Sequence, residues 1–278
     1  MNVGMLGPLV AHGAGTSIVP TAAKPRQVLA LLAFNANRMV TVHELMEELW
    51  GTNPPPSAPT TLQTYILQLR RKLRGTLPGR PGEANGILVT RHGGYVLEID
   101  PASLDVLEFD RLVTSGYAAF EAGTMRHASE LLGEALALWR GPVLADVVHG
   151  SRLAIEVVRL TEGRLGALER RMDADLLLGR HHELLGELIA LAGRHPTHED
   201  LHVRLMIAQY RSGCSAGALE TYHRLRERLM NELGLEASGR MRRVQQAVMD
   251  RDPVLDLDAG SGRDGYLLTE TRTVALSR

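Results

Sequence analysis

The chain has 278 residues, 31 basic and 32 acidic, for a formal net charge of −1, and 44% of it is hydrophobic. This length suits two domains with real cores, and with aromatics at only 4% most of the packing falls to Leu, Val and Ala. The single cysteine, Cys214, excludes an internal disulfide and multi-cysteine zinc or iron–sulfur sites, and it suits a reducing compartment. The start MNVGMLGPLVAHG lacks the basic end and long apolar run of a secretory signal. No apolar stretch is long enough to span a bilayer, so a soluble, cytoplasmic chain with no membrane partner is expected.

Residues 2–19 read as short strands (NVGML, PLVAH, TSIVP) broken by glycine and proline turns. Residues 24–36, KPRQVLALLAFNA, predict a buried helix with Pro25 in its first turn. Thr41 and Glu44 have the spacing of a capping box. They open the helix ELMEELW, which Gly51 should end. The prolines of NPPPSAP impose a stiff loop. A helix from about Ser57 to Arg74 follows, with Leu62, Ile66, Leu69 and Leu73 on one stripe at helical spacing. Thr60, Thr61, Thr64, Gln68 and Arg71 lie off that stripe. A short hairpin, ILVTRHGGYVLEI, comes next. The order is that of a winged helix–turn–helix with a small antiparallel sheet in front of it.

Local charge supports that reading. Residues 60–95 hold Arg70, Arg71, Lys72, Arg74, Arg80 and Arg91 against Glu83 alone. Residues 1–100 hold 9 basic and 6 acidic residues, leaving 22 basic and 26 acidic in the remainder. A basic patch confined to one helix and one hairpin is the footprint of a nucleic-acid reader. A helix with one face in a core and Thr, Gln and Arg on the other suits a major groove.

Pro101 marks the expected boundary between a first domain at 1–100 and a second at 101–255. From 105 to 251 nearly everything has helical period. Gly179 and Gly213 stand 34 residues apart, the period of tetratricopeptide-type helix hairpins, and each precedes a similar helix. Gly123 heads a third copy, EAGTMRHASELLGEALALWRGP. The 56 residues from Gly123 to Gly179 exceed one period, which makes GPVLADVV an insertion. Small residues such as Ala128 and Ala218 permit close helix contact. The fold class is therefore mostly α: a winged helix–turn–helix with small antiparallel sheets, then an all-α, tetratricopeptide-like repeat domain suited to protein contact. Residues 256–278 read as a disordered tail.

On these residues the sequence resembles the Streptomyces antibiotic regulatory protein family. The carriers in the first half are MLGPL at 5–9, KPRQVLALL at 24–32, VHELMEELWG at 42–51, TLQTYILQLRRKL at 61–73 and TRHGGY at 90–95. In the second half they are LALWRGPVLADV at 136–147, LGRHHELLGELIALAGRHP at 178–196 and AQYRSG at 208–213. The match runs over about residues 1–255. It implies an OmpR-type winged helix joined to a helical bacterial transcriptional activation domain. It also implies an activator of a secondary-metabolite cluster that binds direct repeats of double-stranded DNA near the −35 element as a homo-oligomer, and that contacts RNA polymerase and its sigma factor. Such a protein works in the cytoplasm, at the nucleoid.

Carried over by position, Thr61, Thr64, Tyr65, Gln68 and Arg71 are the expected groove contacts, and Arg70, Lys72 and Arg74 the phosphate contacts. Arg91, at the hairpin tip, would meet the minor groove or a flanking phosphate. Lys24 and Arg26, at a helix start, are further candidates for the DNA backbone. The pattern GxxxxGK[ST] does not occur, so nucleotide hydrolysis is not expected, and no cofactor is implied.

Two rival readings stand beside this one. His198-Glu199-Asp200-Leu201-His202 satisfies H-E-x-x-H, which on a helix can ligate zinc with Glu199 as base, and Glu220 lies 18 residues on. That would make the chain a zinc metallohydrolase. Against it, the pair opens a helix directly after Pro196, whereas a zincin helix is central, so a polar surface or an adventitious metal site is the favoured reading of His195, His198 and His202. The other rival is a helical protein-binding scaffold with a vestigial basic head. The remaining histidines, including His181 and His182, read as solvated. Trp50, Trp139, Tyr210 and Tyr222 read as packing residues, and Cys214 as a small turn or core residue.

Overall fold

The computed structural model describes residues 1–74 and 87–256. Arg80 and Glu83 of the basic segment, and the tail expected at 256–278 from residue 257 on, lie outside the described residues. Two compact units emerge from Cα packing: Met1–Ser115 with Gly133–Ala167, and Gly116–Leu132 with Leu168–Arg278.

The first unit opens with a three-stranded antiparallel sheet, β1 (Asn2–Gly4), β2 (Val10–Gly13) and β3 (Thr16–Ser17), in the order β1-β2-β3. Helix α1 (Ala23–Phe34) follows and is buried almost all round through Val28, Leu29, Ala30, Leu31, Leu32 and Ala33. Strand β4 (Met39–Thr41) leads into α2 (Val42–Trp50). The capping box forms as its spacing requires. The Thr41 hydroxyl oxygen accepts from the Glu44 amide at 3.1 Å, and the Glu44 carboxylate accepts from the Thr41 amide at 2.8 Å. Gly51 ends the helix at φ +63°, a backbone region that favours glycine. Helix α3 (Ala58–Arg74) then buries Ala58, Leu62, Ile66, Leu69 and Leu73. Its apolar stripe packs against α1 and α2. Strands β5 (Leu88–Arg91) and β6 (Gly94–Leu97) form the hairpin, and β6 lies between β4 and β5 in the second sheet.

Three carboxylates tie this part of the chain to the helical residues of the same unit. Asp105, at the start of α4 (Asp105–Glu121), accepts from the amides of Met5 at 2.7 Å and Leu6 at 3.0 Å. Asp146 accepts from the Leu9 amide at 2.7 Å. Glu48 of α2, only 3% exposed, accepts from the amides of Gly150, Arg152 and Leu153 at 2.6, 2.9 and 3.3 Å. These amides start α6 (Ser151–Leu177), so Glu48 caps a helix a hundred residues away, where negative charge is favoured. Gln27 steadies Glu48 through its side-chain amide, at 2.8 Å to the backbone carbonyl and 3.1 Å to the carboxylate. The segment read as an insertion, GPVLADVV, runs beside the first strands: the amides of Arg140 and Leu144 donate to the carbonyls of Leu6 and Met5. It forms neither helix nor strand of its own: the Val147 amide closes a turn on the Leu144 carbonyl, while Leu144 and Asp146 bond to the N-terminal segment.

The second unit takes in the end of α4, the start of α5 (Met125–Ala137), the end of α6, and α7 (His181–Arg194), α8 (Glu199–Arg211), α9 (Ser215–Leu233) and α10 (Gly239–Asp250). Its repeat is a repeat of caps. Gly123, Gly179 and Gly213 all have φ between +76° and +80°. Each is followed by an amide that donates five residues back, from Thr124 to Ala119, Arg180 to Asp175 and Cys214 to Gln209. This is the Schellman closure, and the next helix begins two residues past the glycine. Ala128 and Ala218 are fully buried, as close helix contact requires. Arg251 closes α10 the same way without glycine, at φ +50°, with the Asp252 amide donating to Ala247.

Candidate nucleic-acid interface

Helix α3 presents a defined outer face. At about 100° per residue, Thr60, Thr64, Leu67, Gln68, Arg71 and Arg74 fall within about 60° of the direction opposite the buried stripe, and all six are exposed. Thr61 and Tyr65 fall on the flank and are half-buried. Lys72 is exposed on that same flank. Among the described residues Arg71, Lys72 and Arg74 have no acidic partner. Of the expected groove set, then, Thr64, Gln68 and Arg71 stand together on the crest, and Thr61 and Tyr65 stand beside it. Thr60, already off the stripe by its spacing, and Leu67 share the crest, although neither is among the expected groove contacts. Leu67 is 59% exposed, whereas an apolar residue in a helical pattern reads as core by default. The Thr61 and Thr64 hydroxyls donate back to the carbonyls of Ser57 at 2.8 Å and Thr60 at 3.1 Å. What they offer outward is an oxygen lone pair and a methyl group.

The hairpin is set against this helix by Arg70. Its guanidinium donates to the Leu88 carbonyl at 3.0 and 2.9 Å and to the Thr90 hydroxyl at 2.7 Å, and it lies 6.0 Å from the Tyr95 ring centroid. Arg70 thus joins α3 to β5, which differs from the phosphate role expected of it. Its half-buried position on the flank opposite Thr61 and Tyr65 brings the hairpin carbonyl of Leu88 within reach. The His92-Gly93 turn places Gly93 at φ +84°. At Gly94 a Cβ would come within 2.3 Å of the Val40 carbonyl oxygen, so only glycine lets the hairpin lie this close to β4. Arg91 at the tip is exposed and pairs with Glu98 at 3.0 Å.

The two basic residues at the start of α1 are committed elsewhere. Lys24 donates to the Leu49 carbonyl at 3.1 Å and sits 4.4 Å from the Trp50 ring centroid, and its partial burial holds its pKa below the ordinary lysine value. Arg26 donates to the Pro20 carbonyl and pairs with Asp146 at 2.9 Å. Both act as internal ties, so neither is part of the outward basic face.

The HEDLH segment is accounted for by folding. The Glu199 carboxylate accepts from the amide of Ser238 at 2.6 Å, and Ser238 in turn caps α10 by accepting from the Met241 amide. Asp200 pairs with Arg240. The His202 ring Nδ1 donates to the His198 carbonyl at 3.0 Å, and burial lowers its pKa below the ordinary histidine value. His198 faces Glu169 at 3.6 Å. Glu220, imagined as a third ligand, pairs on the surface with Arg224. Among the described residues no group of three His, Cys, Asp or Glu side chains is placed to hold a metal. One turn beyond, Arg204 is fully buried and makes a two-pronged pair with Asp173 at 2.7 and 2.9 Å, with Glu169 3.3 Å away. Burial pushes the Glu169 carboxyl above its usual range, and the nearby Arg204 guanidinium offsets this only in part. His181 also departs from its reading. It is half-buried against His182, with its pKa lowered by burial.

A helix–turn–helix with a wing and an outward row of polar and basic side chains defines a DNA-binding regulator of the winged-helix class. Comparison with known proteins agrees. The family described as transcriptional regulatory protein, C terminal, matches residues 15–97, and the bacterial transcriptional activator domain matches residues 104–249. The regulatory protein DnrI of Streptomyces peucetius is 50% identical over the full length of both chains. The transcriptional regulator RedD of Streptomyces coelicolor is 35% identical over 98% of this chain and 77% of that one. The solved structure of Mycobacterium tuberculosis EmbR in complex with a low affinity phosphopeptide superposes with a TM-score of 0.83 at 33% identity, over 91% of this chain and 65% of that one. The chain belongs to the Streptomyces antibiotic regulatory protein family, DNA-binding transcriptional activators and not enzymes. No described helix is long and apolar enough to cross a membrane.

Proposed function

We propose that residues 1–100 read a directly repeated site in double-stranded DNA near the −35 element of promoters in a secondary-metabolite cluster, and that residues 101–255 engage RNA polymerase with its sigma factor. The observation that carries this is the outer face of α3, where Thr64, Gln68, Arg71 and Arg74 stand exposed over a buried stripe. Arg71 and Gln68 are suited to base edges, since Arg pairs with guanine and Gln with adenine in the major groove. Lys72 and Arg74 neutralise phosphates. Arg91 exchanges its exposed, weak pair with Glu98 for a phosphate beside the wing. Arg70 keeps the wing in register with the helix and acts as a positioning residue. Tyr65 and Thr61 border the groove-facing crest. Protomers on direct repeats stand head-to-tail, because a translated site lacks a two-fold axis. The protein works in the cytoplasm, at the nucleoid.

The test is fluorescence anisotropy of labelled duplexes from the promoters neighbouring its own gene, against random duplex over a salt series. Tight binding to one promoter, with affinity falling steeply as salt rises, is expected from counterion release. Equal affinity for promoter and random duplex would remove the specific reader.

A further inference from the structure

We infer that Leu67 reads the methyl group of a thymine in the bound site, an assignment that rests on the DNA-reading role of α3. Leu67 is 59% exposed at the crest of a helix whose neighbouring outward residues are polar. A leucine placed there is left mostly uncovered in the free protein, while the helix buries five other apolar or small residues on its opposite side. The only chemically distinctive apolar group that a major groove presents is the thymine C5-methyl. Thr64, three residues before Leu67 and on the same face, has its hydroxyl hydrogen bonded back to the Thr60 carbonyl at 3.1 Å. Its methyl group extends the apolar spot that Leu67 makes. Arg71 follows one turn later, about 6 Å along the axis, or one to two base steps at about 3.4 Å each. The inferred contact therefore has a geometric signature: the thymine lies one or two base pairs from the base that Arg71 reads.

The experiment replaces each thymine of the bound promoter duplex, one at a time, by deoxyuridine, which removes the methyl and keeps every hydrogen-bonding group. Affinities of the full-length protein and of Leu67→Ala are compared by anisotropy. The wild type should lose about three- to five-fold at one thymine of each repeat, the worth of burying one methyl, and Leu67→Ala should show no loss at that position. The variant should remain folded, since an exposed helical alanine is well tolerated, and circular dichroism checks this. A uridine effect that survives in Leu67→Ala, or a Leu67→Ala protein that binds the thymine duplex as tightly as wild type, overturns the inference and leaves the DNA reader standing. In the second case Leu67 serves a protein contact instead. Failure of the wild type to prefer its promoter over random duplex removes the reader itself, and this inference with it.

Discussion

Glu48 offers the sharpest test of how the first unit is held. Its carboxylate accepts three backbone amides at the start of α6 and is 3% exposed. Glu48→Ala leaves these donors without a charged acceptor. Hydrogen bonds to a charged group contribute roughly 1.5–3 kcal/mol each when buried. One of the three is long, and water entering the vacated space replaces part of the loss. A loss of about 3 kcal/mol follows, somewhat above the 0.5–2 kcal/mol typical of a single helix cap. In a unit of this size that lowers Tm by about 6–12 °C. Glu48→Gln keeps the shape and one acceptor, so about half that loss is expected. Glu47, half-buried and paired with Arg152 at 3.2 Å, is the control, with an expected change below about 0.5 kcal/mol for Glu47→Ala. Calorimetry of the full chain at neutral pH reads all three. If Glu48→Ala melts within about 2 °C of Glu47→Ala, the carboxylate is not what holds the start of α6.

Arg71→Ala should reduce discrimination between promoter and random duplex by roughly 1–3 kcal/mol, whereas Lys72→Ala and Arg74→Ala should weaken both alike and flatten the salt slope by about one unit each; anisotropy over salt separates the two patterns. Arg70→Ala should loosen the hairpin, so promoter affinity falls with little change in salt slope, and hydrogen exchange at Val89 to Val96 rises; an unchanged hairpin would mean that Arg70 is not its anchor. Arg204→Ala strands the Asp173 carboxylate in the interior and should cost roughly 3–5 kcal/mol, while Arg204→Met with Asp173→Leu should recover most of it; a double variant no more stable than the single one contradicts a pair held by mutual compensation. His202 is lowered in the folded chain, so unfolded protein takes up its proton first as pH falls. Its contribution is present above the ordinary histidine value, about 6.5, and declines below it. The fall in Tm from pH 7 to pH 5 should therefore be smaller in His202→Asn, and an identical fall would contradict a buried neutral ring.

Local chemistry made much of the fold legible. Thr41 and Glu44, Gly51, the stripe from Leu62 to Leu73, and the glycines at 123, 179 and 213 each act within a few residues of themselves, so spacing alone exposes them. The ties made by Asp105, Asp146 and Glu48 span about a hundred residues or more, and no periodicity marks an acceptor whose donors lie that far away. Arg70, Lys24 and Arg26 show the same limit at side-chain level. Each is basic and close to the expected interface, yet each donates to carbonyls that folding brings to it. The spacing of Leu67 leaves it out of the stripe and it lies exposed, but spacing alone gives an outward leucine no role. H-E-x-x-H matched by composition, while Glu199 holds the amide of Ser238, the N-cap of a helix that the motif does not include.

The long-range carboxylates carry a genetic consequence. A gene cut at codon 100 encodes the reading helix and the wing but discards Asp105, Asp146 and the amides that Glu48 satisfies. Recombination that swaps recognition specificity between relatives and keeps these ties therefore transfers one block that runs past residue 100 to residue 153. Crossovers that fall between residues 100 and 105 would keep these ties only where both relatives carry the acids at 48, 105 and 146, since the donors are backbone amides.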